Sequence, residues 1–536
     1  MPNMDNQTRI SRRAVLKAVP VAAALIASPD GLLAERASAA SARPFPQPKV
    51  WAPRAAPGAP GRVLERTLDV RFTETRIPGF GTANTRTYNG TIPGPTLRVR
   101  GGDQLRLTQI NGLPPNAPFD GDHNIPHNFN SFNLHTHGLH VSPSGQADNV
   151  MREFAPRSKA GDPEPHYLSV IDIPLDHPAG TFWYHPHLHG SVSQQVSGGM
   201  TGVLVVEGDV DEVPEIAKAA DVVVCINELK IAPNTAGPLF TSDAALTAPA
   251  ATYTVNGQVN PTIVLRPGEV QRWRLVCATA FTALALEITG DQSVPTMHQI
   301  AQDGITFAAP VATNQVSMAM GNRADILVRA DRAGTYELRA ASLAKPLMTI
   351  HVVGHPIVPP MGLPEELPPG KAPLDDADIA SSQVHREVRW HVDANVLPTP
   401  FPNAYRVLGS NPTPAADPHG DLTRDPMYGR FDPTYVNHIL PLGTVERWVI
   451  STDDKMTAFM HPFHLHTNPF LVTHRNGVAL DPPVWHDTIG ISGGSPGESV
   501  TILVKYEDFI GLTMLHCHNL QHEDLGMMQQ IDYVEG

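Results

Sequence analysis

The chain has only three cysteines, Cys225, Cys277 and Cys517, in 536 residues. With Cys517 embedded in a histidine motif described below, at most one disulfide remains, so cross-links are not what stabilises this chain. Cys225 and Cys277 both lie in apolar, strand-like runs (Val222 to Ile226 and Trp273 to Cys277). They read as free buried thiols, because unpaired cysteine behaves as a small hydrophobe. A membrane span is missing too: the apolar run from Ala18 to Ala27 falls short of the roughly 20 residues needed. Positive charge is in deficit, with 39 Lys+Arg against 53 Asp+Glu and a net charge of −14. Without residues 1–42, which hold five Lys+Arg and three Asp+Glu, the balance is 34 to 50 and the charge −16. Such a surface argues against nucleic acid and anionic membranes as partners. It leaves small neutral or cationic molecules open.

Proline and glycine are abundant. The 53 prolines are about twice the average share, scattered between short alternating apolar runs. That pattern predicts many short strands joined by turns. An internal repeat supports it. Asn89-Gly90-Thr91-Ile92-Pro93-Gly94-Pro95-Thr96 runs on to Gly102-Asp103, and Asn256-Gly257-Gln258-Val259-Asn260-Pro261-Thr262 runs on to Gly268-Glu269. A weaker third copy leads from Asn437-His438 to Gly443-Thr444. Recurrence at such long intervals predicts three similar domains rather than a solenoid. The expected boundaries are 44–209, 210–354 and 378–536, with a proline-rich linker over 355–377. Residues 1–42 read as a cleaved leader. Arg12-Arg13 before a short apolar segment and small residues is the mark of a twin-arginine export signal, which predicts a periplasmic or extracellular protein.

The chemistry lies in histidine. His516-Cys517-His518 is followed by His522 and Met527. On a strand, alternate side chains point to opposite faces, so His516 and His518 would project together and Cys517 away from them. Three more clusters stand far apart: His135-Thr136-His137, His185-Pro186-His187, and His461 ahead of His464-Leu465-His466. A thiolate, imidazoles and a soft thioether form the donor set of an electron-transfer copper. Cys517, His522 and Met527 supply most of it, and His461, standing apart from its neighbouring pair, is the natural missing imidazole. Eight imidazoles remain, far more than one tetrahedral zinc requires, and they suit several redox-active copper ions. His140 and His189 are surplus and read as hydrogen-bonding neighbours of the clusters. Met528 adjoins Met527 as an alternative thioether.

In order, spacing and ligand type these four clusters resemble those of the multicopper oxidases, the bacterial three-domain laccase-like enzymes. The resemblance extends over nearly the whole chain beyond the leader. It implies an all-β fold of three cupredoxin-like Greek-key sandwiches and four copper ions. A type 1 copper would take His461, Cys517 and His522 with Met527 axial. A type 2 copper would take His135 and His464. A type 3 pair would share His137, His185, His187, His466, His516 and His518. Electrons would pass from the type 1 site through Cys517 into His516 and His518, and dioxygen would be reduced to water. Two carboxylates resemble the family's proton-handling groups: Asp148 near the type 2 site and Glu523 beside the type 3 pair.

The expected activity is one-electron oxidation of phenols or aromatic amines coupled to four-electron reduction of dioxygen, by a monomer. A cuprous or other metal-ion oxidase is the nearest rival. No dense methionine run supports it, because Met297, Met318 and Met320 are scattered through the second domain. A copper-free structural or cell-division protein on this scaffold would lack ligands, and none is lacking. A nitrite reductase or simple electron carrier would need fewer histidines. The middle domain, which carries no cluster, reads as a spacer with one wall of a substrate pocket, and Tyr405 to Arg430 as a loop over that pocket.

Overall fold

The computed structural model describes residues 45–55, 61–231, 250–290, 293–371, 374–382, 384–392, 405–410, 429–455 and 460–536. The expected leader lies outside them. The described residues build six β-sheets of five or six strands each, packed as three successive two-sheet sandwiches. Each sandwich has its own core: around Tyr88, Leu105 and Leu204 in the first, Trp273, Leu286 and Ile326 in the second, and Trp390, Trp448 and Phe463 in the third. Gln104–Asn111 illustrates how the sequence specifies this. Leu105 and Leu107 are fully buried while Gln104, Arg106 and Thr108 are partly exposed, the period-2 pattern of a strand with one wet face. The fold is the cupredoxin-like all-β architecture that the resemblance implied.

The repeat marks the same event in each sandwich. Gly102, Gly268 and Gly443 have φ of 83°, 79° and 77°, a left-handed conformation that glycine adopts without steric cost. Each turn carries the chain from a strand in one sheet to a strand in the facing sheet: Thr96–Arg100 to Gln104–Asn111, Thr262–Leu265 to Glu269–Ala278, and His438–Pro441 to Val445–Thr452. The second and third sandwiches also share a register shift at one topological position, between Gln299 and Ala301 and between Val472 and His474.

Described residues of the proline-rich segment expected as a linker, 355–377, are packed, and one connection after it departs from the sequence reading. Leu367 is buried with Val270, Ile300 and Leu327, and Met361 and Leu363 pack beside it. Tyr405–Ser410 is not loop but an antiparallel strand on Val384–Val392; the rest of that expected loop, 411–428, lies outside the described residues. An apolar seam of Trp183, Val203, Val205, Val223, Cys225, Val276 and Ala278 joins the first two sandwiches. A fully buried side chain of this size contributes about 1.5–3 kcal/mol, so the seam holds the middle sandwich firmly against the strand Gly180–His185. Cys225 and Cys277 are both free and buried, as expected, and burial pushes each thiol up to about 12.

Candidate metal centre

One short strand feeds two sites. Along Gly511–Cys517 the side chains alternate, so Cys517 enters the core of the last sandwich. His516, and His518 one residue beyond the strand, point the other way toward the first sandwich, where they meet His187 and His137. The neighbouring strand Met460–Leu465 sets His464 opposite His516 and Phe463 opposite Cys517. Across the interface, the strands His135–His137 and Gly180–His185 set His135 opposite His185. Four His-x-His pairs from the first and last sandwiches therefore meet at one place. His135 stacks on His466 with ring centroids 4.1 Å apart, and His137 on His464 at 3.9 Å.

These eight rings are at most 3% exposed, and six of their nitrogens lack partners. His135 Nε2, His137 Nδ1, His185 Nε2, His464 Nε2 and both nitrogens of His518 have no hydrogen bond. His516 Nε2 faces His187 Nε2 at 3.0 Å and His466 Nε2 at 3.3 Å. Buried polar atoms are almost always satisfied, and leaving them bare costs free energy. Bare nitrogens converging from both sandwiches are what metal ions would satisfy, and the donor set fits copper. Triplets whose nitrogens lie within 4.8 Å of one another overlap: His135, His137 and His185; His135, His464 and His466; His187, His466 and His516. Seven of the rings thus form one connected cluster, and His518 packs against it through His137, His185 and His464.

The groups around the cluster fix its protons. Asp148 lies 3.0 Å from His135 Nδ1 and accepts from the Thr136 amide at 3.1 Å, which leaves Nε2 of His135 as the nitrogen free to bind a metal. The carbonyl of Asp487 accepts from His464 Nδ1 at 2.8 Å, with the same effect. Glu523 is fully buried, 2.9 Å from His516 Nδ1 and 3.6 Å from His187 Nδ1. Burial raises its carboxyl to about 7, against the pull of His187 and His135. Asp524 accepts from the amides of Gly190, Val192 and Ser193, tying the last sandwich to the helix Val192–Ser197 of the first.

The second donor set is centred on Cys517. Its Sγ lies 3.7 Å from His461 Nδ1 and 3.8 Å from His522 Nδ1, and those two nitrogens are 3.2 Å apart. All three side chains are buried. Asp454 Oδ2 lies 3.0 Å from His461 Nε2, so Nδ1 is the free donor. Burial raises the Cys517 thiol; the thiolate forms when a cation replaces its proton. Met527 packs in the same core as Cys517, whereas Met528 belongs to an apolar cluster with Val150, Phe431 and Met514. Consecutive on the chain, the two thioethers occupy different clusters, and Met527 is the one on the Cys517 side. Tyr405 stacks on His522 with ring centroids 4.3 Å apart.

The surplus histidines do not join the cluster. His140 binds Thr467 O at 2.9 Å and Asp508 Oδ1 at 2.7 Å. His189 packs on Phe431 and faces Asn124 Oδ1 at 3.2 Å. Asp454, Asp487, Tyr405 and the middle-sandwich residues Gly321 and Arg323 were not singled out from the sequence. The middle sandwich is more than a spacer. Gly321, at φ 89°, leaves only 3.0–3.1 Å between a would-be Cβ and the rings of His137 and His518. Arg323 donates to Asp487 at 2.8 and 2.5 Å, and Asp487 Oδ1 lies 3.3 Å from His137 Nε2.

Burial holds eight of the histidines neutral. It lowers His187 and His516 to about 3, and His137, His185, His464, His466, His518 and His522 well below their ordinary value, with neighbouring rings adding to the effect. An unfolded chain protonates such rings near pH 6.5, so below that pH proton uptake favours unfolding. The stability they lend is complete above about 6.5 and is lost toward about 3. Thermal unfolding of the metal-free protein should therefore show a midpoint that falls steadily between pH 6.5 and 4. A flat profile over that window would contradict the assignment of these rings as buried neutral donors.

Three models of one family, each described as multicopper oxidase, match residues 123–211, 230–353 and 398–536. The chain is 25% identical over 474 residues to the multicopper oxidase mco of Staphylococcus aureus, covering 87% of both. It is 26% identical to the cell division protein FtsP of Salmonella typhimurium, covering 92% of both. A solved structure of the laccase-like multi-copper oxidase CueO from Ochrobactrum sp. superposes with a TM-score of 0.70 at 21% identity, over 92% of this chain and all of that one.

Proposed function

The chain belongs to the multicopper oxidase family, and from that premise we propose that it is a working laccase-like oxidase. It would take electrons singly from phenols or aromatic amines and reduce dioxygen to water. The observation that carries this reading is the completeness of the donors: eight buried, converging imidazoles beside a His461–Cys517–His522 set with Met527 in the same core. A protein that used the scaffold only structurally, such as a cell-division factor, would have no need to keep bare nitrogens buried at such cost.

His461, Cys517, His522 and Met527 would hold a type 1 copper, His135 and His464 a type 2, and the remaining six histidines a type 3 pair. Bound copper supplies one-electron oxidation at the first site and dioxygen reduction at the cluster. The chain supplies the rest. Peptide bonds join Cys517 directly to His516 and His518, so the two donor sets share one covalent path. Asp148 and Asp454 fix which nitrogen of His135 and His461 is free. Glu523, buried against His516 and His187, can hold a proton beside the cluster near neutral pH.

A groove of about 660 Å³ between the middle and last sandwiches opens beside Met460, the residue before His461. Its wall includes Ala283, Leu284, Ser317, Asn322 and Ile489, and its charged residues Arg475 and Glu498 pair with each other at 2.7 Å, which leaves a largely neutral surface suited to small uncharged reductants. Met318 and Met460 line the same groove. Their two thioethers favour a second reading, oxidation of monovalent copper. Among the described residues no helix is long and apolar enough to cross a membrane. Twin-arginine export to the periplasm or beyond belongs to the same proposal and rests on Arg12-Arg13.

The test is copper content together with oxygen uptake. The loaded protein should hold about four coppers per chain and consume oxygen with a phenol. A phenol rate far below the rate with monovalent copper would transfer the proposal to the metal-ion reading. Copper content near zero after loading would reject both.

A further inference from the structure

A second cavity, of about 250 Å³, lies between the first and last sandwiches, and one of its walls is His187 of the histidine cluster. We propose that it is a docking site for monovalent copper on the way into that cluster. The inference rests on the copper-oxidase reading above.

The argument starts from the walls. Met151, Met514 and Met528 supply three thioethers, and His189, His127 and His123 supply imidazoles. Thioether with imidazole is a soft donor set, suited to monovalent copper and unsuited to magnesium or calcium, which prefer oxygen. Nδ1 of His189 is shielded from solvent and has no hydrogen-bond partner. The charge is right for a cation: Glu153 lines the cavity, and among the described residues no lysine or arginine does.

The placement is directional. Met514 and His516 lie two apart on the strand Gly511–Cys517 and so share a face. Met528 sits directly opposite His516 on the neighbouring strand. His516 Nε2 is in turn 3.0 Å from His187 Nε2. Soft donors therefore continue from His123, His127 and His189, past three thioethers, to two imidazoles of the cluster. Met514 and Met528 face away from Cys517: they pack with Val150 and Phe431, on the opposite side of the sheet from the Cys517 core. The route leads to the histidine cluster alone.

The experiment loads metal-free full-length protein anaerobically with monovalent copper as its acetonitrile complex and follows both sites separately. Samples withdrawn at intervals are freed of unbound copper and oxidised with dioxygen; filling of the Cys517 site is then read from the visible thiolate–copper band, and filling of the cluster from the remaining copper and the paramagnetic signal of its divalent ions. Met151→Leu/Met514→Leu/Met528→Leu keeps side-chain volume, a change cores tolerate. His189→Gln tests the imidazole end independently. In each variant, cluster filling should slow by about tenfold, with filling of the Cys517 site and the final copper content unchanged. Silver(I), a redox-inert probe, should bind the metal-free wild type in this cavity and bind the methionine variant more weakly. Equal rates of cluster filling in wild type and both variants, or slowing of both sites together, would overturn the proposal. Failure of the wild type to take up copper at all would overturn the oxidase reading with it.

Discussion

On the proposed oxidase reading, a Cys517→Ser chain should fold, retain copper at the histidine cluster, and lose both the intense visible colour and the turnover expected of the parent chain. The expected loss is on the order of 10³-fold or more, as for residues whose contribution is not replaceable by their neighbours. Serine is slightly smaller than cysteine, so packing around Phe463 and Leu515 changes little. What changes is the donor. A serine hydroxyl gives up its proton far less readily than a thiol, and its hard oxygen is a poor partner for the soft metal that thiolate and thioether select. The peptide path to His516 and His518 would remain, with no sulfur to feed it. Visible absorption, copper content and oxygen uptake measured on one preparation would decide the matter. Turnover retained without the colour would mean that electrons reach the cluster by a route that bypasses Cys517.

The second large effect is expected at Arg323, in the sandwich that carries none of the proposed ligands. Arg323 is fully buried and pairs with Asp487, with Asp303 3.6 Å away. Arg323→Met would leave the Asp487 carboxylate buried without its cation, which typically costs about 3–5 kcal/mol, whereas Asp303 keeps His486 Nδ1 at 2.8 Å. Asp487 also touches His137 and holds His464 through its carbonyl, so the loss should reach the cluster. We expect a markedly lower thermal midpoint and about 10–100-fold weaker retention of cluster copper, with the Cys517 absorption intact. Adding Asp487→Asn to Arg323→Met removes one stranded charge and should recover part of the stability, a non-additivity expected of contacting residues. Full additivity of the two substitutions, or loss of copper from both sites alike, would show that Arg323 acts only on global stability.

What the sequence made legible was set by local periodicity. His-x-His reads directly as two rings on one strand face, whereas the expectation that the four remote pairs meet came from the family resemblance and not from periodicity. Gly102, Gly268 and Gly443 were visible as a repeat because each needs a left-handed backbone at the same step of the fold. What was not legible depends on long-range contact. Asp487 sits 23 residues after His464 and 350 after His137, and nothing in its neighbourhood marks it as a partner of either. Arg323 and Gly321 belong to a sandwich without a histidine motif, so no pattern pointed to them. Tyr405 was read as loop because of the proline-rich residues around it, yet its short strand pairs with Val384–Val392 and lays the ring on His522. Likewise, Met151, Met514 and Met528 look unrelated along the chain, and only the packing of two sandwiches brings them to one cavity.

The apolar seam around Trp183 and Val276 has a consequence beyond adhesion. Trp183 lies in the strand that ends at His185, and its ring is 4.2 Å from that histidine's ring and 5.2 Å from that of His137. The seam therefore works as a jig: it sets the angle at which one half of the ring cluster is presented to the other. Since neither half is a complete chelator, metal affinity is a gauge of how well three separately packed bodies are aligned. Drift in the sequence of the seam, far from any donor atom, would register as a change in how tightly the ions are kept.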